Sequence, residues 1–251
     1  MKNFLLALQF LTIIPVRVKD IKEGNLPNSV VYFPLVGLLL GLILIGMNKV
    51  FLILNFDQFS INILLVISLI LLTGGLHLDG LADTFDALLS RRNKDEMLKI
   101  MRDSRIGVMG VLGIISIILL KISFLSSISL SLKTVALILM CLLSRWSLVL
   151  TMFFFPYARR EGKAKVFIEG INIKILTLAT IITLFFLVLA WQLKGLLILA
   201  IIAISTYLIG KFINNKINGV TGDTLGAVNE LTEIIVLAVI CILQKVILWI
   251  I

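Results

Sequence analysis

Long apolar runs separated by short polar connections dominate the chain. Seven of them, at about 34–54, 59–76, 107–130, 133–155, 173–193, 195–213 and 232–251, approach the roughly 20 residues a helix needs to cross about 30 Å of hydrocarbon. None shows the alternation over about ten residues that marks a barrel strand. The pattern predicts an all-α, polytopic integral membrane protein of about seven transmembrane helices. An eighth, shorter run, MKNFLLALQFLTIIPV, opens the chain. No small-residue cleavage site follows it, and Pro15, Arg17 and Lys19 end it, so it is read as an interfacial or re-entrant helix kept on the protein. No repeat or low-complexity linker divides residues 1–251, which predicts one transmembrane domain.

Composition agrees, with 60% hydrophobic residues and four prolines and a mean hydropathy of +1.13. The net charge of +9 would suit a nucleic-acid binder in a soluble chain. In a membrane chain the position of each Lys and Arg matters more than their sum. Seventeen of the 23 lie in the N-terminal segment, 77–106, 156–174 and 211–231, which seven crossings place on one side; Lys121, Lys133, Lys194 and Lys245 mark the other. The expected orientation puts the basic connections in the cytoplasm and the C-terminus outside, with the lipid bilayer as partner and no nucleic acid. Cys141 and Cys241 fall within expected spans without CxxC spacing, so they are read as packing residues.

Chemistry concentrates in a few polar segments. In HLDGLADTFDALLS, residues 77–90, offsets of four and three put Asp79, Asp83 and Asp86 on one helix face. A solvated face would more naturally hold Glu and Lys pairs, and Asp is a poor helix former. Three unpaired carboxylates repel one another, so a divalent cation among them is expected. An all-oxygen set selects a hard cation, and Mg2+ bridging a substrate phosphate is the usual arrangement. The preceding Gly74 and Gly75 allow close backbone approach, to a ligand or to another helix. His77, the only histidine, is either a proton-transfer or phosphate-binding group or an interfacial one.

Residues 91–99 mix charges as a solvated amphipathic helix would. Beyond them, Asp103 is placed to join a metal shell and Arg105 to hold phosphate by its planar fork, the alternative for Arg102 and Arg105 being membrane anchoring. Arg145, mid-span, costs about 2.5–3.5 kcal/mol on insertion scales and must face a partner, either an anionic substrate or a carboxylate. Tyr157, Arg159, Arg160, Lys163 and Lys165 suit a polyanionic substrate or anionic lipid heads equally. In GVTGDTLGAVNELTE, residues 219–233, Asp223 is either an N-cap or a site residue. Capping does not explain Asn229, Glu230 and Glu233 further in, so a second half of the same polar site is expected there.

These segments resemble the cobalamin synthase (adenosylcobinamide-GDP ribazoletransferase) family. The resemblance rests on FLLALQFLTIIPV, YFPLVGLLLG (32–41), GGLHLDGLADTFDALLS, IMRDSRIGVMG (100–110), SRW (144–146), FPYARREG (155–162) and GVTGDTLGAVNELTE, in order from residue 4 to 233. It implies a membrane enzyme of late cobalamin biosynthesis, in a prokaryotic plasma (inner) membrane. Such an enzyme assembles the nucleotide loop: it joins adenosylcobinamide-GDP to α-ribazole or its 5′-phosphate, with Mg2+, and releases GMP. On that reading Asp79, Asp83, Asp86, Asp103, Asp223 and Glu230 hold metal. Asp79, Asp83, Asp103, Asn229, Glu230 and His77 form the catalytic set, and Arg105, Arg145, Arg159 and Arg160 bind phosphate. A homo-oligomer is a further expectation. The aspartate spacing is also similar to that of CDP-alcohol phosphotransferases, although their full motif is missing, so a lipid head-group enzyme is the alternative. An ion-coupled transporter is a remoter one, because no repeat is found and the charges gather at one surface.

Overall fold

The computed structural model describes residues 2–16, 18 and 24–250. Arg17 and Lys19, expected to end the first run, lie outside the described residues. The helices are α1 (Lys2–Leu11), α2 (Asn25–Ser29), α3 (Phe33–Ile53), α4 (Gln58–Leu72), α5 (Leu76–Leu89), α6 (Lys94–Ile100), α7 (Val108–Ser127), α8 (Leu130–Phe154), α9 (Lys165–Glu169), α10 (Ile173–Ile217) and α11 (Gly222–Ile250). At 10 residues, α1 is about 15 Å long. It is too short to cross and packs on α2 and α3, as an interfacial or re-entrant helix should.

Six stretches are long and apolar enough to span: Asn25–Ile53, Val108–Ser127, Leu130–Phe154, Ile173–Gln192, Lys194–Ile217 and Gly222–Lys245. A seventh crossing requires α4 and α5 together, and these meet at an 88° bend. The chain turns there because Gly74 and Gly75 take φ of 61° and 70°, a left-handed region that a Cβ disfavours. Within α10, Trp191 and Gln192 leave helical dihedrals, which divides it where the apolar pattern divides. The last span differs from expectation. It starts at Gly222, ten residues before 232, because Thr221 and Thr224 cap one another: each backbone N–H donates to the other's hydroxyl, at 2.8 and 3.2 Å. Asp223 is therefore not the cap, and its carboxylate is left for other work.

Helix α8 is the central post: 89% of its most apolar window is buried, against 22% for Ile173–Gln192. It packs on α3, α10 and α11. Glycines let α3 approach it closely, for a Cβ at Gly37 would lie 2.2 Å from the Cys141 carbonyl oxygen.

Charge is buried in this bundle as well. Glu233 of α11 meets Lys121 of α7 at 2.5 Å and also pairs with Arg145 of α8. Lys121 additionally meets Glu230 at 2.6 Å. The Asn229 amide donates to Glu233 at 3.0 Å and the Ser144 hydroxyl at 3.3 Å. Two cations and two anions cancel, as hydrocarbon surroundings demand. Lys121 and Lys133, expected among the outer connections, are both buried. Lys133 donates to Asn62 at 3.0 Å and to the Leu125 carbonyl. The correction has a simple cause: a lysine inside an apolar run satisfies its ammonium from neighbouring helices.

Two stability measurements follow from this packing. Gly37→Ala should lower the melting temperature in detergent, because the carbonyl it would strike is helix backbone and cannot swing away. Gly46→Ala, whose Cβ meets nothing within 4 Å, should leave it unchanged or raise it, by up to about 1 kcal/mol in stability. Glu233→Ala strands Lys121 and Arg145 and should destabilise by about 3–5 kcal/mol in equilibrium unfolding from mixed micelles.

Candidate active site

Helices α5 and α11 cross with almost nothing between their backbones. A Cβ on Gly80 would lie 2.6 Å from the Asp223 carbonyl oxygen, and one on Gly226 would lie 2.9 Å from that of His77. The crossing sets the first acidic motif against the second. Asp79 and Asp223 consequently line one cavity of about 270 Å³, together with His77 and Arg159. Phe10, Leu11, Leu148 and Met152 give it an apolar wall. Asp79 also lines a neighbouring cleft of about 300 Å³ with Asp83 and Asp103. Asp83 stands in the repulsive field of Asp223, Asp79 and Asp86, which Arg159 only partly offsets.

Arg159 reaches this place through a short piece of parallel pairing. Ala158 N–H donates to the Val220 carbonyl at 2.9 Å, and Val220 N–H to that of Pro156 at 2.8 Å. Gly219, with φ of 144°, permits the approach, since a Cβ there would sit 2.5 Å from the Pro156 oxygen. The Arg159 guanidinium then meets Asp223 at 2.6 Å. Its Nε is buried with no hydrogen-bond partner among the described residues. Arg102 donates to the Glu161 carbonyl at 3.2 Å, so the connections around α6, 156–164 and 218–221 all meet at one end of the bundle.

The remaining expected site residues are placed differently. Asp86 accepts from the backbone N–H groups of Gly107 and Gly110 at 2.7 and 2.8 Å. It thus serves as a borrowed cap for the start of α7. Asp103 and Arg105 pair with each other at 2.7 Å in solvent. Hydrogen bonds from Arg105 hold the Asp103 carboxyl down at about 2. Arg160 lies on the outer side of Arg159, in a groove facing α6. His77 is buried at the cavity wall with Nε2 unpartnered among the described residues.

Arg145, Asn229 and Glu230, expected at the substrate, belong instead to the buried ion network and line neither cavity. Arg145 meets the cost of its mid-span charge through Glu233, the carboxylate alternative of the sequence reading. Among the described residues, no three His, Cys, Asp or Glu side chains form a preassembled metal shell. Sequence reasoning missed Lys121 as a partner of Glu230 and Glu233. The signal was present, because an ammonium amid an apolar run incurs the same kind of cost that singled out Arg145.

Residues 3–241 match the family described as CobS, cobalamin-5-phosphate synthase. Curated relatives named adenosylcobinamide-GDP ribazoletransferase include that of Desulforamulus reducens, 38% identical over 96% of both chains. The one from Acetivibrio thermocellus is 41% identical over 93% of this chain and 94% of its own. That of Clostridioides difficile is 36% identical over 97% and 98%. No solved structure matches. The matches favour neither the lipid head-group nor the transporter alternative. With its polar motifs and most of its apolar frame inside the matched region, the chain belongs to the cobalamin-5-phosphate synthase family.

Proposed function

We propose that the chain joins adenosylcobinamide-GDP to α-ribazole, or to its 5′-phosphate, forming adenosylcobalamin or its 5′-phosphate and releasing GMP. Family membership and the relatives' names support the reaction. The observation that carries it to particular residues is the α5–α11 crossing, which gathers Asp79, Asp83, Asp223 and Arg159 around adjoining cavities. A ribose hydroxyl of the acceptor attacks the phosphorus attached to cobinamide, and the P–O bond to GMP breaks. The hydroxyl proton passes to a carboxylate of the cleft; we assign this to Asp79, which lines both cavities. His77, with its free Nε2, orients the acceptor from the apolar wall. Arg159 positions Asp223 and presents guanidinium charge to the diphosphate.

The residues fit magnesium. The buried network is neutral within itself, whereas three carboxylates, Asp79, Asp83 and Asp223, converge on the adjoining cavities, where Arg102, Arg159 and Lys163 also stand. Hard oxygen donors suit Mg2+, and a site completed by substrate phosphate and water needs only one or two protein carboxylates. Asp83 and Asp223 would hold it, which leaves Asp79 to take the proton, and Asp103 lines the same cleft as Asp83. When bound, Mg2+ supplies neutralisation of the charge that develops on the diphosphate. Asp86, occupied in capping α7, and Glu230, paired with Lys121, are assigned no metal role. We further propose that the site faces the cytoplasm, since most Lys and Arg residues lie in the connections that meet there.

Membranes containing the chain, given adenosylcobinamide-GDP, α-ribazole and Mg2+, should release GMP and form cobalamin. Asp79→Asn should reduce turnover by about 100-fold or more without changing insertion or melting. Reaction of CDP-diacylglycerol with a small alcohol, and not of the cobinamide donor, would replace this reading with the lipid one. Topology has its own check. Cys141 and Cys241 are buried, so a cysteine placed at exposed Lys99 should be labelled from the cytoplasmic face only, and labelling from outside would reverse the orientation.

A further inference from the structure

The proposed reaction imposes a positional demand. GMP is joined to the reacting phosphorus by one bridging oxygen, so its sugar and base must occupy a space adjoining the carboxylate cleft. Three spaces adjoin it. The cavity walled by Phe10, Leu11, Leu148 and Met152 and a shallow space over Ile13, Gly74 and Ile114 are largely apolar. The third is a groove of about 540 Å³ between α6 and residues 158–160. It shares Arg159 with the Asp223 cavity and Arg102 with the Asp79–Asp83 cleft.

Resting on that reaction, we infer that this groove binds the nucleotide half of the donor, and GMP once transfer is complete. Lys94, Lys99, Arg102, Arg159 and Arg160 line it, and the one acidic group among them is Asp95. A nucleotide monophosphate brings nearly two negative charges and a polar base, the complement of that lining. Helix α6 holds its face steady through a capping box, in which Asn93 accepts from Glu96 N–H at 3.0 Å and Glu96 accepts from Asn93 N–H at 3.4 Å. The opposite wall is tied by Arg102 to the Glu161 carbonyl and by Lys165 to the Arg160 carbonyl at 2.8 Å. The unpartnered Nε of Arg159 supplies a buried donor where groove and reaction cavity join. Only Leu98 and Ala158 are apolar in the lining, too few to track an acyl chain, so a nucleotide fits better than an anionic lipid. Sequence pattern alone makes 91–99 a solvated face; the fold turns its cations toward Arg159 and Arg160.

The test is GMP binding by equilibrium dialysis to the full chain in nanodiscs of phosphatidylcholine alone, read beside GMP inhibition of turnover. Wild type should bind GMP. Lys99→Glu combined with Arg160→Glu, both at exposed positions, should weaken binding and inhibition at least tenfold while leaving the KM for α-ribazole unchanged. Should the double variant fail to fold, Lys94→Gln and Lys99→Gln should each weaken binding about threefold. Absence of GMP binding to wild type, unaltered affinity in the folded variants, or displacement of GMP by phosphatidylglycerol in the bilayer would overturn the inference. Binding is read without turnover, so a chain that binds GMP in this charge-dependent way but transfers nothing refutes the reaction and leaves the groove. A chain that turns over with GMP affinity blind to these charges refutes the groove alone.

Discussion

The contact between Gly80 of α5 and Asp223 of α11 admits no side chain, and the chemistry of the molecule is organised around that closeness. With a Cβ at Gly80 in collision with helix backbone, α5 would have to stand away from α11. The carboxylates of the two motifs would then move apart. Glycine at the crossing also costs helix stability, roughly 1 kcal/mol per residue relative to alanine. That loss is offset by dispersion between closely approached backbones, the usual means of helix association in lipid.

Two layers of charge follow, and their exposure differs. In the deep layer Lys121, Arg145, Glu230 and Glu233 sum to zero and are sealed from solvent, so the layer ties α7, α8 and α11 together at no net charge. The outer layer is open, and in it Asp83 lies in the field of Asp223, Asp79 and Asp86 while Arg159 pairs with Asp223. His77 sits between the layers, in the wall of the reaction cavity and within the electrostatic reach of Arg145 and Glu233.

Much of this was legible in the sequence, and the parts that were not share a physical origin. The spans and the approach of 79–83 to 223 both rest on local pattern and on the cost of unpaired charge, which one dimension displays. The partner of an intramembrane charge is not displayed there. Lys121 and Glu230 stand 109 residues apart, and only packing decides that Arg145 meets Glu233 and not a phosphate. Asp86 shows the same limit: its spacing matches that of Asp79 and Asp83, yet the glycines at 107 and 110 bring backbone N–H groups to it first. The early start of α11 escaped a search for apolar runs because mutual threonine capping, not hydrophobicity, sets it.

The position of the cleft at one end of the bundle answers a conflict within the proposed substrates. A corrinoid is bulky and amphipathic and gains from apolar contact, whereas a diphosphate with its cations needs water and fixed charge. At mid-bilayer depth the phosphate would have to shed its hydration against a network already neutral; on a fully solvated surface the corrinoid would find no wall. Where α5 turns away from α4 at Gly74 and Gly75, both environments lie within one side-chain length. Asp79 projects toward charge on one side, and Leu148 and Met152 close the cavity on the other. The bend that leaves α4 too short to cross alone is thus the feature that places carboxylates at the edge of an apolar chamber.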